Sequence, residues 1–270
     1  MNILNKIIEH KRKEVEERKE LYPTRLLEKS IYFETPVVSM KKYLVRADKS
    51  GIIAEFKKKS PSQGDINPYA SVERVSIGYM QSGASALSVL TDKHFFGGKN
   101  ADLAEARKFN FCPILRKDFV IDEYQLIEAK SIGADVVLLI AECLEKSELN
   151  HLAAMAKSLG LEVLMEFHSI GQLAKLNDSI DIVGVNNRNL EDFTVDINNS
   201  IGLSSAIPNE FIKISESGIN NAESIVELQQ ADFQGFLIGE YFMKTADPPK
   251  ACADLINEVR TLRKMKKLVK

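Results

Sequence analysis

The stretch Ile52-Ile53-Ala54-Glu55-Phe56-Lys57 decides the fold of this chain. Its apolar residues predict a short buried strand, in which a carboxylate and an ammonium follow two positions apart. Because strand side chains alternate between faces, Glu55 and Lys57 point the same way. Taken alone, this pair is equally consistent with a weak surface ion pair at a frayed strand end. The recurrence of the pattern along the chain favours a functional site instead.

Eight short and nearly continuous apolar runs repeat this organisation. Such runs are typical of parallel strands covered on both faces. They occupy residues 51–57, 86–92, 113–119, 136–142, 161–168, 182–189, 211–218 and 235–242. Segments with helical period lie between them, at residues 71–83, 100–110, 122–133, 146–160, 168–177, 220–230 and 248–268. Several of these helices end on glycine, as a helix C-terminus prefers.

One strand and one helix in each unit predict an α/β fold, a single (β/α)8 TIM barrel. We expect residues 1–270 to form one domain, because no linker composition interrupts the chain. Residues 1–47 predict an N-terminal helical extension packed on the barrel, with an amphipathic helix over 1–19 and a short one over 37–45. A doubly wound open sheet is the main alternative, but no G-x-G-x-x-G turn follows the first strand.

Composition narrows the class of protein. Hydrophobic residues make up 44% of the 270, charged residues 27%, and the net charge is -2. This balance argues against a nucleic-acid or membrane partner, and no apolar run is long enough to span a bilayer. The three cysteines, Cys112, Cys143 and Cys252, are widely spaced, which favours reduced thiols and a cytoplasmic location.

Polar side chains recur at the carboxyl end of the predicted strands. In a parallel barrel these ends share one face, where barrel enzymes place their active sites. We therefore predict a pocket there that contains Glu55, Lys57, Lys117, Glu166, Asn186, Arg188 and Glu216. Closely set lysines and glutamates shift one another's pKa values, which suits acid–base chemistry. Glu142, at the end of the fourth predicted strand, has a plain alternative as a charge on the barrel rim and is not included in the predicted site.

The last two units predict an anion site. Ser217-Gly218 ends the seventh strand and Gly239-Glu240 the eighth. Backbone N–H groups and close approach at glycine suit a phosphate, and barrels often bind one after these two strands. A phosphorylated small-molecule substrate is expected. No metal is expected, since the four histidines show no ligand spacing.

Five motifs resemble the indole-3-glycerol phosphate synthase family, and the similarity covers nearly the whole chain. They are Ile53-Ala54-Glu55-Phe56-Lys57-Lys58-Lys59-Ser60-Pro61-Ser62, Pro113-Ile114-Leu115-Arg116-Lys117-Asp118-Phe119, Gly184-Val185-Asn186-Asn187-Arg188-Asn189-Leu190, Ser215-Glu216-Ser217-Gly218-Ile219 and Phe236-Leu237-Ile238-Gly239. The resemblance implies a lyase of tryptophan biosynthesis that works without metal or organic cofactor. It would convert 1-(2-carboxyphenylamino)-1-deoxyribulose 5-phosphate to indole-3-glycerol phosphate, releasing carbon dioxide and water.

The resemblance also implies roles for single residues. Lys117 would be the general acid at the substrate ketone, and Glu166 the acid–base partner in loss of water. Lys57 would serve the substrate carboxylate or the dehydration, while Glu55 and Asn186 orient the lysines and hold hydroxyls. The substrate would be bound by Ser60, Phe119, Arg188 and Glu216, with its phosphate on Ser217, Gly218, Gly239 and the N–H of Glu240.

Two positions depart from the family pattern. Glu240 stands where many members have Ser, so its carboxylate should point away from the phosphate. Lys99 stands where Ser is usual in the loop after the second strand. Neither position belongs to the acid–base set.

Two other functions stay open on the residues. Phosphoribosylanthranilate isomerase would want a Cys base at the end of the first strand, where this chain has Glu55 and Lys57. A sugar-phosphate-binding barrel without turnover would not need Lys57, Lys117 and Glu166 together. Partners beyond the small-molecule substrate would be other enzymes of the tryptophan pathway.

Overall fold

A closed barrel of eight parallel strands forms the centre of the protein, which confirms the predicted fold. The computed structural model describes residues 3–189 and 194–268, with side chains up to residue 265. The barrel strands are β1 (Ile52–Phe56), β2 (Ala86–Leu90), β3 (Ile114–Lys117), β4 (Val136–Ile140), β5 (Glu162–Phe167), β6 (Ile182–Asn186), β7 (Ile212–Glu216) and β8 (Gly235–Ile238). Each strand pairs with its sequence neighbours, and β1 closes the ring by pairing with both β2 and β8.

Helices surround this barrel. They are α1 (Ile3–Leu21), α2 (Thr24–Leu27), α3 (Met40–Leu44), α4 (Val72–Gln81), α5 (Asn100–Phe109), α6 (Glu123–Ser131), α7 (Lys146–Ser158), α8 (Asn198–Ser204), α9 (Ala222–Gln230), α10 (Glu240–Met243) and α11 (Pro248–Leu268). Local signals set several of their ends. Ser71 caps α4 by accepting a hydrogen bond from the Arg74 N–H, and Asp122 with Gln125 forms a capping box on α6.

Four expectations about elements need correction. The helix expected over 168–177 is a 3-10 helix at Ile170–Lys175. The eighth strand ends at Ile238, and Tyr241 and Phe242 belong to α10. Helix α8, which is short and polar, was missed, as was a hairpin of Lys59–Ser60 and Gly64–Asp65. Met1, Asn2 and Leu190, which the expected helices and motifs included, lie outside the described residues.

The barrel interior and its lower end share one small core. Ile53, Leu115 and Ile214 point inward from the strands and are buried. Met40 and Leu44 of α3 join this cluster and plug the end of the barrel where the strands begin. The Glu162 carboxylate holds the plug in place by accepting hydrogen bonds from the backbone N–H groups of Met40 (2.8 Å) and Lys41 (3.1 Å). The opposite end, at the strand C-termini, is open for a site.

Helix α1 lies across that open end. It buries Leu4, Ile7, Lys11 and Val15, while Ile3 and Ile8 are half-buried. Leu4, Ile7 and Val15 form the apolar face that an amphipathic helix is expected to bury, and the fourth buried residue is a lysine. Within residues 3–189 and 194–268, no helix is long and apolar enough to cross a membrane.

Candidate active site

A cavity opens at the carboxyl ends of the barrel strands, and the predicted residues meet there. Its walls include every predicted site residue except Gly218 and Gly239: Glu55, Lys57, Ser60, Lys117, Phe119, Glu166, Asn186, Arg188, Glu216, Ser217 and Glu240. Because side chains alternate along a strand and parallel strands end together, residues up to 185 positions apart in sequence converge on it. The predicted residues therefore share one cavity.

Lys117 lines the cavity between two carboxylates. Its ammonium Nζ lies 2.6 Å from Glu166 Oε2 and 2.5 Å from Glu216 Oε2, and it donates to both. Asn186 Nδ2 donates to the other oxygen of Glu166 at 2.9 Å. Both carboxylates are almost fully buried. Strands β3, β5, β6 and β7 thus deliver one cation, two carboxylates and an amide to a single point.

The pKa values of the two carboxyl groups in this cluster shift in opposite directions. Burial raises the pKa of Glu216 to about 8, with the negative charge of Glu166 adding to the rise. Burial also acts to raise the pKa of Glu166, but the Lys117 ammonium outweighs it and lowers that pKa below its ordinary value. For Lys117, burial acts to lower the pKa, and the charges of Glu166, Glu216 and Glu55 raise it. These opposite shifts favour a proton on Glu216 and a negative charge on Glu166, which suits a cluster that both donates and accepts protons.

A second charged pair lies on β1. Lys57 Nζ is 3.2 Å from Glu55 Oε1, and Ser88 Oγ donates to Glu55 Oε2 at 3.2 Å. Gly239 packs against the same carboxylate, since a Cβ at this position would come within 2.5 Å of Glu55 Oε1. Glu55 is buried and Lys57 is half-buried, facing the cavity. The pair predicted at the end of the first strand is therefore part of the site and not a surface ion pair.

The loops after β7 and β8 form the end of the cavity where the anion site was predicted. Ser217 and Gly218 both have positive φ angles, 69° and 78°. The Asn187 side chain fixes this turn by donating to the Ser217 carbonyl at 3.0 Å. Gly218 has no room for a side chain, since a Cβ there would lie 2.4 Å from Val195 Cγ1.

Glu240 lies at the rim of this same end. Its carboxylate contacts Lys244 Nζ at 2.7 Å and Arg188 Nη2 at 3.4 Å. The expectation that this side chain points away is met only in part: Lys244 draws one oxygen outward, yet the residue lines the cavity beside Arg188. These cations lower the pKa of Glu240, against the opposing effect of its partial burial.

The wall facing these charges is apolar. Phe119 and Phe96 lie together with ring centroids 6.0 Å apart. Other apolar lining residues are Leu90, Leu138, Ile140 and Leu237, together with Ile3, Leu4 and Ile7 of α1. The contribution of α1 was not anticipated. Its apolar stripe showed that it packs on something, but the identity of that surface is a tertiary fact.

The segment between β1 and α4 differs from expectation at one residue. Lys58, which reads in sequence as a solvated neighbour of Lys57, is half-buried, with its ammonium 3.1 Å from Asp102 Oδ2. Ser60 is buried, lines the cavity as predicted and accepts a hydrogen bond from the Gln63 N–H at 3.3 Å. In the described part of the chain, no three His, Cys, Asp or Glu side chains cluster in a way that could hold a metal ion.

Comparisons with known proteins agree with this geometry. A family model for indole-3-glycerol phosphate synthase matches residues 4–255. A protein of that name from Bacteroides thetaiotaomicron is 46% identical over 259 residues, covering 96% of this chain and 99% of the relative. Its counterpart in Campylobacter jejuni is 43% identical over 260 residues, covering 94% and 100%. One from Polaromonas naphthalenivorans is 38% identical over 261 residues, covering 95% and 99%.

Solved structures support the fold alone. A 3-hexulose-6-phosphate synthase from Salmonella typhimurium superimposes with a TM-score of 0.61 at 10% identity, covering 78% of this chain and 98% of that one. A tryptophan synthase alpha-subunit from Pyrococcus furiosus gives 0.59 at 12% identity, covering 79% and 99%.

Proposed function

The chain belongs to the indole-3-glycerol phosphate synthase family, and from that premise we propose that it closes the indole ring in tryptophan biosynthesis. The substrate is 1-(2-carboxyphenylamino)-1-deoxyribulose 5-phosphate, and the products are indole-3-glycerol phosphate, carbon dioxide and water. The reaction makes the enzyme a carbon–carbon lyase of the carboxy-lyase type. One observation carries the proposal: the Lys117 ammonium lies between Glu166 and Glu216 and opposite an apolar, aromatic wall.

Ring closure needs an acid at the substrate ketone. Lys117 donates a proton to the ketone oxygen, and the ring carbon that bears the carboxylate attacks the carbonyl carbon. The new carbon–carbon bond leaves an iminium at the anilino nitrogen, and loss of carbon dioxide returns its electron pair to the ring system. The raised pKa of Lys117 keeps it protonated until a substrate oxygen that gains negative charge can accept the proton.

Dehydration then needs an acid and a base together. The former ketone oxygen, now a hydroxyl, leaves as water with a proton from the site, and Glu166 accepts a ring proton to complete the indole. Asn186 holds Glu166 in place through the 2.9 Å hydrogen bond. Glu216 supplies the proton for the leaving hydroxyl, since its pKa is raised to about 8. Lys57, steadied by Glu55, serves the substrate carboxylate or the leaving hydroxyl.

Binding determinants surround these groups. Phe119 lies against the anthranilate ring, on the apolar wall. The substrate phosphate binds to Ser217, Gly218, Gly239 and the backbone N–H of Glu240, with glycine allowing close approach. Arg188 and Ser60, which also line the cavity, engage polar groups of the substrate. Holding the ring and the phosphate at two ends brings the ketone to Lys117.

A direct assay tests the proposal. The purified protein is mixed with the carboxyphenylamino substrate, and indole formation is followed by ultraviolet absorbance. We expect turnover without added metal or cofactor. Thermal stabilisation by inorganic phosphate without turnover would contradict the proposal and support a sugar-phosphate-binding barrel instead.

A further inference from the structure

A buried lysine on α1 lies outside the set of residues that the reaction uses. Lys11 is 1% exposed. Its ammonium lies 2.9 Å from Asp92 Oδ2, 3.0 Å from Asp118 Oδ1 and 2.9 Å from Glu14 Oε2. Burial acts to lower the pKa of Lys11, but Asp118, Asp92 and Glu14 raise it, so the side chain stays cationic. Burying a cation this deeply has a large desolvation cost unless nearby anions compensate it. The anions around Lys11 are therefore the place to look for its role.

One partner, Asp118, fixes the end of β3. It directly follows Lys117 and accepts hydrogen bonds from the Phe119 N–H (2.8 Å) and from Thr91 Oγ1 (2.6 Å). The Thr91 N–H in turn donates to the Lys117 carbonyl at 3.1 Å. The Asp118 carboxylate therefore holds the Phe119 N–H directly and the Lys117 carbonyl through Thr91. In this way it fixes the backbone that presents Lys117 and Phe119 to the cavity.

The other partner, Asp92, fixes the loop after β2. Its Oδ1 accepts from the Phe95 N–H (2.8 Å) and the Phe96 N–H (3.2 Å), which directs Phe96 to the apolar wall. Its Oδ2 is buried and makes no hydrogen bond among the described residues. The Lys11 ammonium is the contact that compensates this oxygen.

We propose that Lys11 is a positioning residue: by bridging Asp118 and Asp92, it holds Lys117, Phe119 and Phe96 in the arrangement that ring closure requires. The inference rests on the proposed function. Helix α1 contributes to the site through Lys11 and also directly. Leu4 and Ile7, one to two turns before Lys11, line the same cavity. An exposed lysine on the same helix provides the comparison. The Lys13 side chain is 71% exposed and pairs with Glu9, one turn earlier.

The test replaces each lysine by the nearly isosteric methionine. Lys11→Met should lower kcat, per folded molecule, at least about tenfold, because displacements near 1 Å at a reacting group have effects of this size or larger. The apparent Kd of inorganic phosphate, measured by thermal shift, should stay unchanged, because the phosphate site is built on β7 and β8. Lys13→Met should match the wild type in both measurements. The folded fraction is taken from near-ultraviolet circular dichroism.

Two more variants separate positioning from simple anchoring of the helix. Lys11→Arg keeps the charge and should restore most of the lost kcat. Lys11→Met/Asp92→Asn removes a cation and an anion together, so it should fold while Asp118 still lacks its bridge, and its kcat should stay low. A role in stability alone would change the Tm of these proteins but leave kcat per folded molecule at the wild-type value.

The outcomes are distinct. Wild-type kcat in folded Lys11→Met, or in the double variant, would overturn the role of Lys11 and leave the proposed function intact. An equal loss of kcat and of phosphate affinity would also overturn it, because the defect would then be general. A wild-type protein that forms no indole product would remove the proposed function itself, and this inference with it.

Discussion

At the residue scale, the site depends on three side chains that share protons. The Lys117 ammonium contacts two buried carboxylates, and burial together with the charge of Glu166 raises the pKa of the other, Glu216, to about 8. Two carboxylates this close to one another cannot both ionise at ordinary cost. The same residues that would be unfavourable in a core are thus prepared to donate and accept protons.

Removing the central cation should abolish most of the chemistry. Lys117→Met is expected to lower kcat at least ~10²-fold, the usual contribution of a general acid, with little change in KM. Steady-state kinetics by indole absorbance measures both constants. Lys250→Met provides the control, since the Lys250 side chain is 68% exposed and pairs with Asp254 on the outer surface. Near-native turnover in Lys117→Met would exclude the role of general acid.

The raised pKa of Glu216 predicts a dependence of stability on pH. Its ordinary pKa is 4.5, and in the folded protein it is about 8, so the folded state binds an additional proton between these values. The contribution of Glu216 to the free energy of unfolding should therefore decrease from about pH 4.5 to pH 8, by at most about 1.4 kcal/mol per pH unit. Lys117 adds no slope in this window, because its raised pKa affects stability only above its ordinary value. The lowered pKa of Glu166 acts only below 4.5.

Glu216→Gln should flatten that slope. Urea unfolding at pH 5, 6, 7 and 8 compares the variant with the wild type, and the variant should gain relative stability as the pH rises. Glu9→Gln, an exposed change on α1, should run parallel to the wild type. Parallel curves for Glu216→Gln would show that Glu216 holds no extra proton.

At the element scale, function depends on the turns at the carboxyl ends of the strands. Strand β7 ends in a turn with two successive positive φ angles, and β8 ends in a short helix. Such turns aim backbone N–H groups at one point, which suits a phosphate. The strands determine where these turns lie, and the turns determine which groups the substrate contacts.

Gly218 gives a test with a matched control. Gly218→Ala introduces a Cβ at a positive φ and against Val195, so the turn must shift, and KM for the phosphorylated substrate should rise about tenfold or more while kcat changes less. Gly160→Ala places the same strain at φ 76°, in open space after α7. Backbone strain should lower the Tm of both variants by comparable amounts. Only Gly218→Ala should lose substrate affinity. An unchanged KM in Gly218→Ala would argue against the phosphate assignment.

At the scale of the whole molecule, the two ends of the barrel have different roles. The end where the strands begin is closed by α3 and contributes stability, whereas the end where they finish holds the cavity. Barrel folds commonly divide stability and activity in this way. A change at the lower end should therefore leave the chemistry intact.

Met40→Ala tests this separation. Met40 is fully buried in the plug, and its truncation should lower the free energy of unfolding by about 2–5 kcal/mol, as cavity formation does. Met265→Ala, at an exposed position on α11, should change it by less than about 0.5 kcal/mol. Urea denaturation measures both, and kcat of the folded protein should remain at the wild-type value. A fall in kcat for Met40→Ala would show that the two ends are coupled.

Much of the fold was available from local sequence because its signals are local. The apolar runs of β1 to β8 and the glycines after α4, α6 and α7 mark each unit, and Gly83, Gly133 and Gly160 indeed adopt positive φ angles. The elements that the sequence misassigned are the weak ones. Helix α8 is rich in Asn and Ser, and the segment after β5 makes only a 3-10 helix, so neither shows a clear apolar period.

The sequence by itself determined the barrel and the residues that gather at its mouth, since alternation along a strand and parallel closure follow from local pattern. Tertiary structure alone decided that Lys117 contacts both Glu166 and Glu216, that α1 forms a wall of the cavity, and that Lys11 is buried between Asp92 and Asp118. These facts depend on distances between side chains far apart in the chain. Local propensity carries no information on such distances, because they are set by how the elements pack around one core.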